Sequence, residues 1–182
     1  GRREYSSGHK EKQFVGNQHW LWLSRKFYNN CNWLEKRLIL SRKKILVTGG
    51  AGYVGSHTCN LLSQNGFEVI VYDNLSTGHK EFVKWGPLEI GDLLDTNNLS
   101  DVIRKYDIDA VFHFAAKAYV GESVQDPFKY YKNNIVGTSS LLEAMHLNNV
   151  KDIIFSSTCA TYGIPPKNQL IKEEMCQNPI NP

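Results

Sequence analysis

A chain of 182 residues with 41% hydrophobic and 21% charged residues carries enough apolar material for one soluble domain with a real core, and too little length for two. No apolar run reaches the roughly 18 residues of a transmembrane helix, and four scattered cysteines without a CxxC pair argue against a zinc site or a disulfide framework. The net charge of +3 is unevenly placed, with nine Lys/Arg against three Glu in residues 1–42 and twelve Lys/Arg against fifteen Asp/Glu in residues 43–182.

The basic first part begins at Gly1 and holds Trp20, Trp22 and Trp33, but no cap, repeat or motif. Charge with tryptophan is one route to nucleic acid or a membrane surface. Without a fold to display it, the expectation is a poorly ordered extension over 1–42, with no nucleic-acid or membrane partner. Thiols that are neither paired nor clustered suit a reducing compartment, so the expected location is the cytoplasm.

From Lys44 the pattern alternates between the periods of strands and helices. Lys44–Thr48 is a short apolar run ending in glycines, as a buried parallel strand should be. Val54, Thr58, Leu61 and Leu62 then mark one face of a helix, which Asn65-Gly66 stops. Strands are expected over 67–72 and 88–90. Asp95 or Thr96 can cap a helix with Leu99, Val102, Ile103 and Tyr106 on one side. A fourth strand covers 110–114. Asp126-Pro127 reads as an N-cap followed by proline at the first helical position, opening a helix that presents Phe128, Tyr131, Ile135, Leu142 and Met145. A fifth strand covers 152–157. This alternation predicts an α/β domain over 43–182: the first part of a doubly wound parallel sheet of the Rossmann type.

In such sheets ligands sit beyond the carboxyl ends of the strands. After strand one comes a G-x-x-G-x-x-G pattern on Gly49, Gly52 and Gly55. Gly49 permits the tight turn, Gly52 a close approach of backbone to a diphosphate, and Gly55 the packing of helix on strand. The pattern alone is weak. Here it follows a strand, opens a helix and has an acid, Asp73, closing the second strand. That carboxylate can accept from adenosine ribose hydroxyls and would repel a 2′-phosphate, which favours NAD over NADP. Asp92 lies where an adenine amino group could reach it. His113, inside a strand, reads as packing rather than catalysis.

The strings TGGAGYVGSHT, DNLSTG, GDLLD, HFAAKAYVGES, YYKNNIVGT and FSSTCATYG, in this order, resemble the extended short-chain dehydrogenase family, and most closely its UDP-glucose 4-epimerase branch. The resemblance covers about 43–182. It implies that Tyr53 and Val54 lie against the diphosphate, and that Asp73, Asn74, Leu75, Ser76, Thr77 and Gly78 surround the adenosine ribose. Asp92 and Leu93 would meet the adenine. Phe114, Ala115, Ala116, Lys117 and Ala118 would line the cofactor, with Asn134 near it. Thr158 matches the hydroxyl residue that helps polarise the sugar at C4. Family members often carry lysine at the position of Ala118, whereas here the lysine is Lys117.

The reaction implied is a hydride shuttle at C4 of a UDP-sugar, interconverting UDP-glucose and UDP-galactose in galactose metabolism, with NAD as cofactor and a homodimer as the working form. No metal is implied. The family's base is the tyrosine of Tyr-x-x-x-Lys, and no tyrosine here has a lysine four residues later. What the resemblance implies is therefore a fragment, inactive alone, of an epimerase truncated before its later strands and substrate domain, with the sugar pocket largely beyond Pro182. A sugar-nucleotide 4,6-dehydratase would need Asp-Glu after Thr158, where this chain has Cys159-Ala160. A UDP-pentose 4-epimerase and a non-catalytic NAD-binding module stay open as alternatives.

Overall fold

The computed structural model describes residues 43–166 and 170–182; the extension expected over 1–42 lies outside them. Five parallel strands, β1 (Lys44–Thr48), β2 (Glu68–Asp73), β3 (Leu88–Ile90), β4 (Ala110–His113) and β5 (Asp152–Phe155), form one sheet in the order β3-β2-β1-β4-β5. The order reverses direction between β1 and β4, which is where a doubly wound sheet opens a ligand crevice.

The central strands β1, β2 and β4 are largely apolar runs because both their faces are covered. On β1, Ile45 and Val47 face one side and Leu46 the other; β2 sends Val69 and Val71 one way, Ile70 and Tyr72 the other. Helix α1 (Tyr53–Gln64) covers the first face with Cys59 and Leu62. Helix α2 (Thr96–Tyr106) covers the second with Leu99, Val102 and Ile103, capped by Asp95, whose carboxylate accepts from the Asn98 N–H at 3.0 Å. A short helix α3 (Val120–Gln125), which no periodicity announced, precedes α4 (Pro127–Tyr130). The Asp126 carboxylate caps α4 with proline in its first turn, as expected. From there the chain runs on through a π-helical turn, Tyr131–Val136, into α5 (Gly137–Leu147), which packs beside α2 with Leu141, Ala144 and Met145 in the core.

Two helix faces differ from the sequence expectation. The inward face of α1 is Gly55, Ser56, Cys59 and Leu62, while Val54 and Leu61 are exposed. The reason is distance: the helix starts so close to the β1 turn that a Cβ on Gly55 would stand 2.2 Å from the Gly49 carbonyl oxygen. Only small residues fit there. In the second long helical run, Phe128, Tyr131, Ile135 and Leu142 are exposed, and of the expected stripe only Met145 is buried. Tyr130, Gly137 and Leu141 face inward instead.

Candidate functional site

The crevice at the carboxyl end of the sheet begins with the turn after β1. Gly49 has φ +72°, a conformation that side chains rarely adopt, and a Cβ there would meet the Ala115 backbone nitrogen at 2.6 Å. The β1 turn and the loop after β4 are therefore in backbone contact. By helix geometry the first N–H groups of α1 lack an intrahelical acceptor. No side chain caps them and no acid sits in the first turn, so the positive end of α1 is open to an anion. Tyr53 and Val54, both exposed, stand at that end. A Cβ on Gly52 would meet only the Gly49 oxygen, at 3.2 Å, which leaves the approach to this backbone clear.

Asp73 closes β2 and is buried. Its Oδ2 accepts from the Ala51 N–H at 3.0 Å and its Oδ1 from the Leu75 N–H at 2.8 Å. The carboxylate thus holds the glycine turn and the following loop together, and each oxygen keeps a lone pair for a further donor. Gly78 is packed against it, since a Cβ there would lie 2.9 Å from Oδ1. Asn74 donates through Nδ2 to Asp92 Oδ2 at 2.9 Å and accepts on Oδ1 from the Ser76 N–H, which brings the loops after β2 and β3 into one wall. Ser76 and Thr77 are exposed on that loop. The Leu93 side chain is in the core, so only its backbone is available to a ligand.

Across the crevice, Asn134 in the π-helical turn clamps the loop that runs through Phe114, Ala115, Ala116, Lys117 and Ala118. Its Oδ1 accepts from the Lys117 N–H at 2.9 Å, and its Nδ2 donates to the Lys117 carbonyl at 3.0 Å. Thr158, just past β5, is exposed; its Oγ1 accepts from the Ala160 N–H at 3.2 Å and so caps a short 3₁₀ turn, Cys159–Tyr162. That contact uses an oxygen lone pair and leaves the hydroxyl proton to be donated elsewhere. Among the described residues no group of three or more His, Cys, Asp or Glu is placed to hold a metal ion, and no helix is long and apolar enough to cross a membrane.

Sequence reasoning missed a polar relay. His113 is buried, with Nδ1 2.6 Å from Thr48 Oγ1 and Nε2 3.0 Å from Thr138 Oγ1. Thr138 Oγ1 donates to the Asn134 carbonyl at 2.6 Å, so it must accept from His113 Nε2–H. Nδ1 is then the acceptor for the Thr48 hydroxyl. Burial pushes the imidazole pKa down to about 4, consistent with this neutral tautomer. The partners lie 65 and 25 residues from His113 in the chain, beyond the reach of any local pattern.

An uncapped helix N-terminus, an open glycine turn and a buried carboxylate closing the second strand are the donor and acceptor set that suits a dinucleotide. These features define a doubly wound nucleotide-binding domain. The chain belongs to the NAD dependent epimerase/dehydratase family, which it matches over residues 45–182. Over 143 residues it is 50% identical to a UDP-glucose 4-epimerase of Rhizobium meliloti (strain 1021), a match covering 79% of this chain and 43% of that relative. It is 47% identical over 148 residues to a putative UDP-arabinose 4-epimerase of Arabidopsis thaliana, covering 76% of this chain and 35% of the relative. Among solved structures it is similar to the UDP-glucose 4-epimerase of Brucella ovis in complex with NAD, with a TM-score of 0.72 and 55% identity over 76% of this chain and 42% of that one. The chain thus spans less than half the length of these relatives.

Proposed function

We propose that this chain is the NAD-holding part of a UDP-sugar 4-epimerase, and that the complete protein interconverts UDP-glucose and UDP-galactose in the cytoplasm. The observation that carries the reading is the open end of α1 beside Asp73, on a chain half identical to a UDP-glucose 4-epimerase. The first-turn N–H groups at Tyr53 and Val54 would hold the diphosphate, Asp73 the adenosine ribose, and Asp92 with the Leu93 backbone the adenine. The loop of residues 114–118, held by Asn134, would lie along the cofactor. NAD, when bound, supplies a reversible hydride acceptor for C4 of the sugar. Thr158 would donate its hydroxyl hydrogen to the C4 oxygen, where negative charge develops as the proton leaves.

The plant relative keeps a UDP-pentose 4-epimerase as the second reading. The exposed side chains of Phe128, Tyr131, Ile135 and Leu142 support a homodimer as the working form, because grouped exposed apolar residues favour cover. The test is turnover by the complete protein on UDP-galactose and on UDP-arabinose, read as product ratio. Preference for the hexose supports the first reading, preference for the pentose the second, and turnover of neither refutes both.

A further inference from the structure

The relay through His113 joins three parts of the crevice that are distant in the chain. Thr48 is the last residue of β1, one position before the Gly49 turn. His113 is the last residue of β4, one position before the 114–118 loop. Thr138 sits in the first turn of α5, and its bond to the Asn134 carbonyl ends on the residue whose side chain grips Lys117 from both sides. Thr48 is fully buried and His113 nearly so. A Leu or Phe at 113 would fill such a place without desolvating two ring nitrogens, so packing alone does not account for an imidazole there. What an apolar residue cannot supply is direction: each donor in the chain has one acceptor, and each bond fixes the rotation of the next group. The turn of π-helix that carries Asn134 is the kind of local irregularity that re-aims a side chain.

We infer that His113, through Thr138, is a positioning residue that sets Asn134 and thereby the path of the 114–118 loop against the Gly49 turn. His113 touches no ligand in this scheme; it acts through Asn134. Its effect on cofactor affinity rests on the NAD reading above, whereas its effect on the loop does not.

The test uses the 182-residue chain and amide hydrogen exchange by NMR, reading Lys117 N–H against the core amides of Ile70 and Val71. Thr138→Val removes the hydroxyl and should speed exchange at Lys117 roughly tenfold beyond any rise shared by Ile70 and Val71, whose rates report the stability lost when the buried His113 Nε2–H is left unpaired. Thr138→Ser should restore the wild-type rate. NAD should bind Thr138→Val several-fold more weakly and Thr138→Ser normally. Should Thr138→Val not fold, the imidazole nitrogen spectrum of the unmodified chain decides: a neutral ring protonated on Nε2 is required, and a ring protonated on Nδ1 overturns the relay. An unchanged Lys117 rate, or one that rises only in step with Ile70 and Val71, also overturns it. Failure of the wild-type chain to bind NAD would refute the cofactor reading, and the exchange rates would still decide the positioning role.

Discussion

Replacing Asp73 with alanine separates the bonds its carboxylate makes within the fold from the ribose contact proposed for it. The side chain accepts from the Ala51 and Leu75 N–H groups, and Ala51 is fully buried. Asp73→Ala leaves the Ala51 donor without a partner or water, at a cost of about 1–3 kcal/mol in stability. In a unit of this size that lowers the melting temperature by roughly 3–12 °C. The Leu75 donor is nearer the surface and can be hydrated. If the remaining lone pairs also accept from the ribose, NAD affinity falls by a further factor of about ten to a hundred, equivalent to ~1.5–3 kcal/mol. Melting followed by circular dichroism and NAD titration by calorimetry, at a temperature where both proteins are folded, measure the two losses apart. A lower melting temperature with unchanged NAD affinity would show that Asp73 only ties the turn to the loop, and the ribose assignment would be wrong.

Further expectations follow from particular distances. Gly55→Ala should unfold or strongly destabilise the domain, because its Cβ would overlap the Gly49 carbonyl, whereas Gly52→Ala should fold and bind NAD roughly tenfold more weakly or worse; equal stability losses in the two would contradict the open approach at Gly52. In the complete protein Thr158→Val should lower kcat by about 10²–10³ and Thr158→Ser should leave it nearly unchanged, so a kcat retained by Thr158→Val would remove Thr158 from the chemistry. His113 has a folded-state pKa of about 4 against 6.5 unfolded, so the unfolded chain takes up a proton first as the pH falls. Stability from this group is full above pH 6.5 and is lost between 6.5 and 4, by about 3 kcal/mol in all; urea melts of the chain and of His113→Phe should show this extra slope only in the former.

The strands were legible because a parallel strand covered on both faces must be a short apolar run, and Lys44–Thr48 and Ala110–His113 are such runs bounded by turn or loop residues. The caps at Asp95 and Asp126 were legible because capping is local. Helix orientation was not. Apolar spacing shows that a face avoids water without saying what covers it, and the second long helical run has two such faces, Tyr130 with Leu141 inward and Phe128 with Ile135 outward. On α1 the expected Leu62 does face inward, but the rest of that face is the small residues Gly55, Ser56 and Cys59, set by closeness to β1, which a hydrophobic pattern does not register. The glycine turn and Asp73 could be found from spacing, but the bonds by which Asp73 ties the turn to the following loop run to backbone groups, which carry no sequence signal. The relay through His113 was hidden for a related reason: its hydroxyl partners are ordinary threonines until folding brings them together.

Whether the crevice at the carboxyl ends of β1 and β2 holds NAD can be measured directly. Calorimetric titration of the 182-residue chain with NAD and with NADP, under identical conditions, tests this in one measurement. Saturable one-to-one binding of NAD, with NADP weaker by at least about tenfold because its 2′-phosphate would face the Asp73 carboxylate, is the expected result. Equal affinity for the two, or no binding of either by a chain shown to be folded, would contradict it.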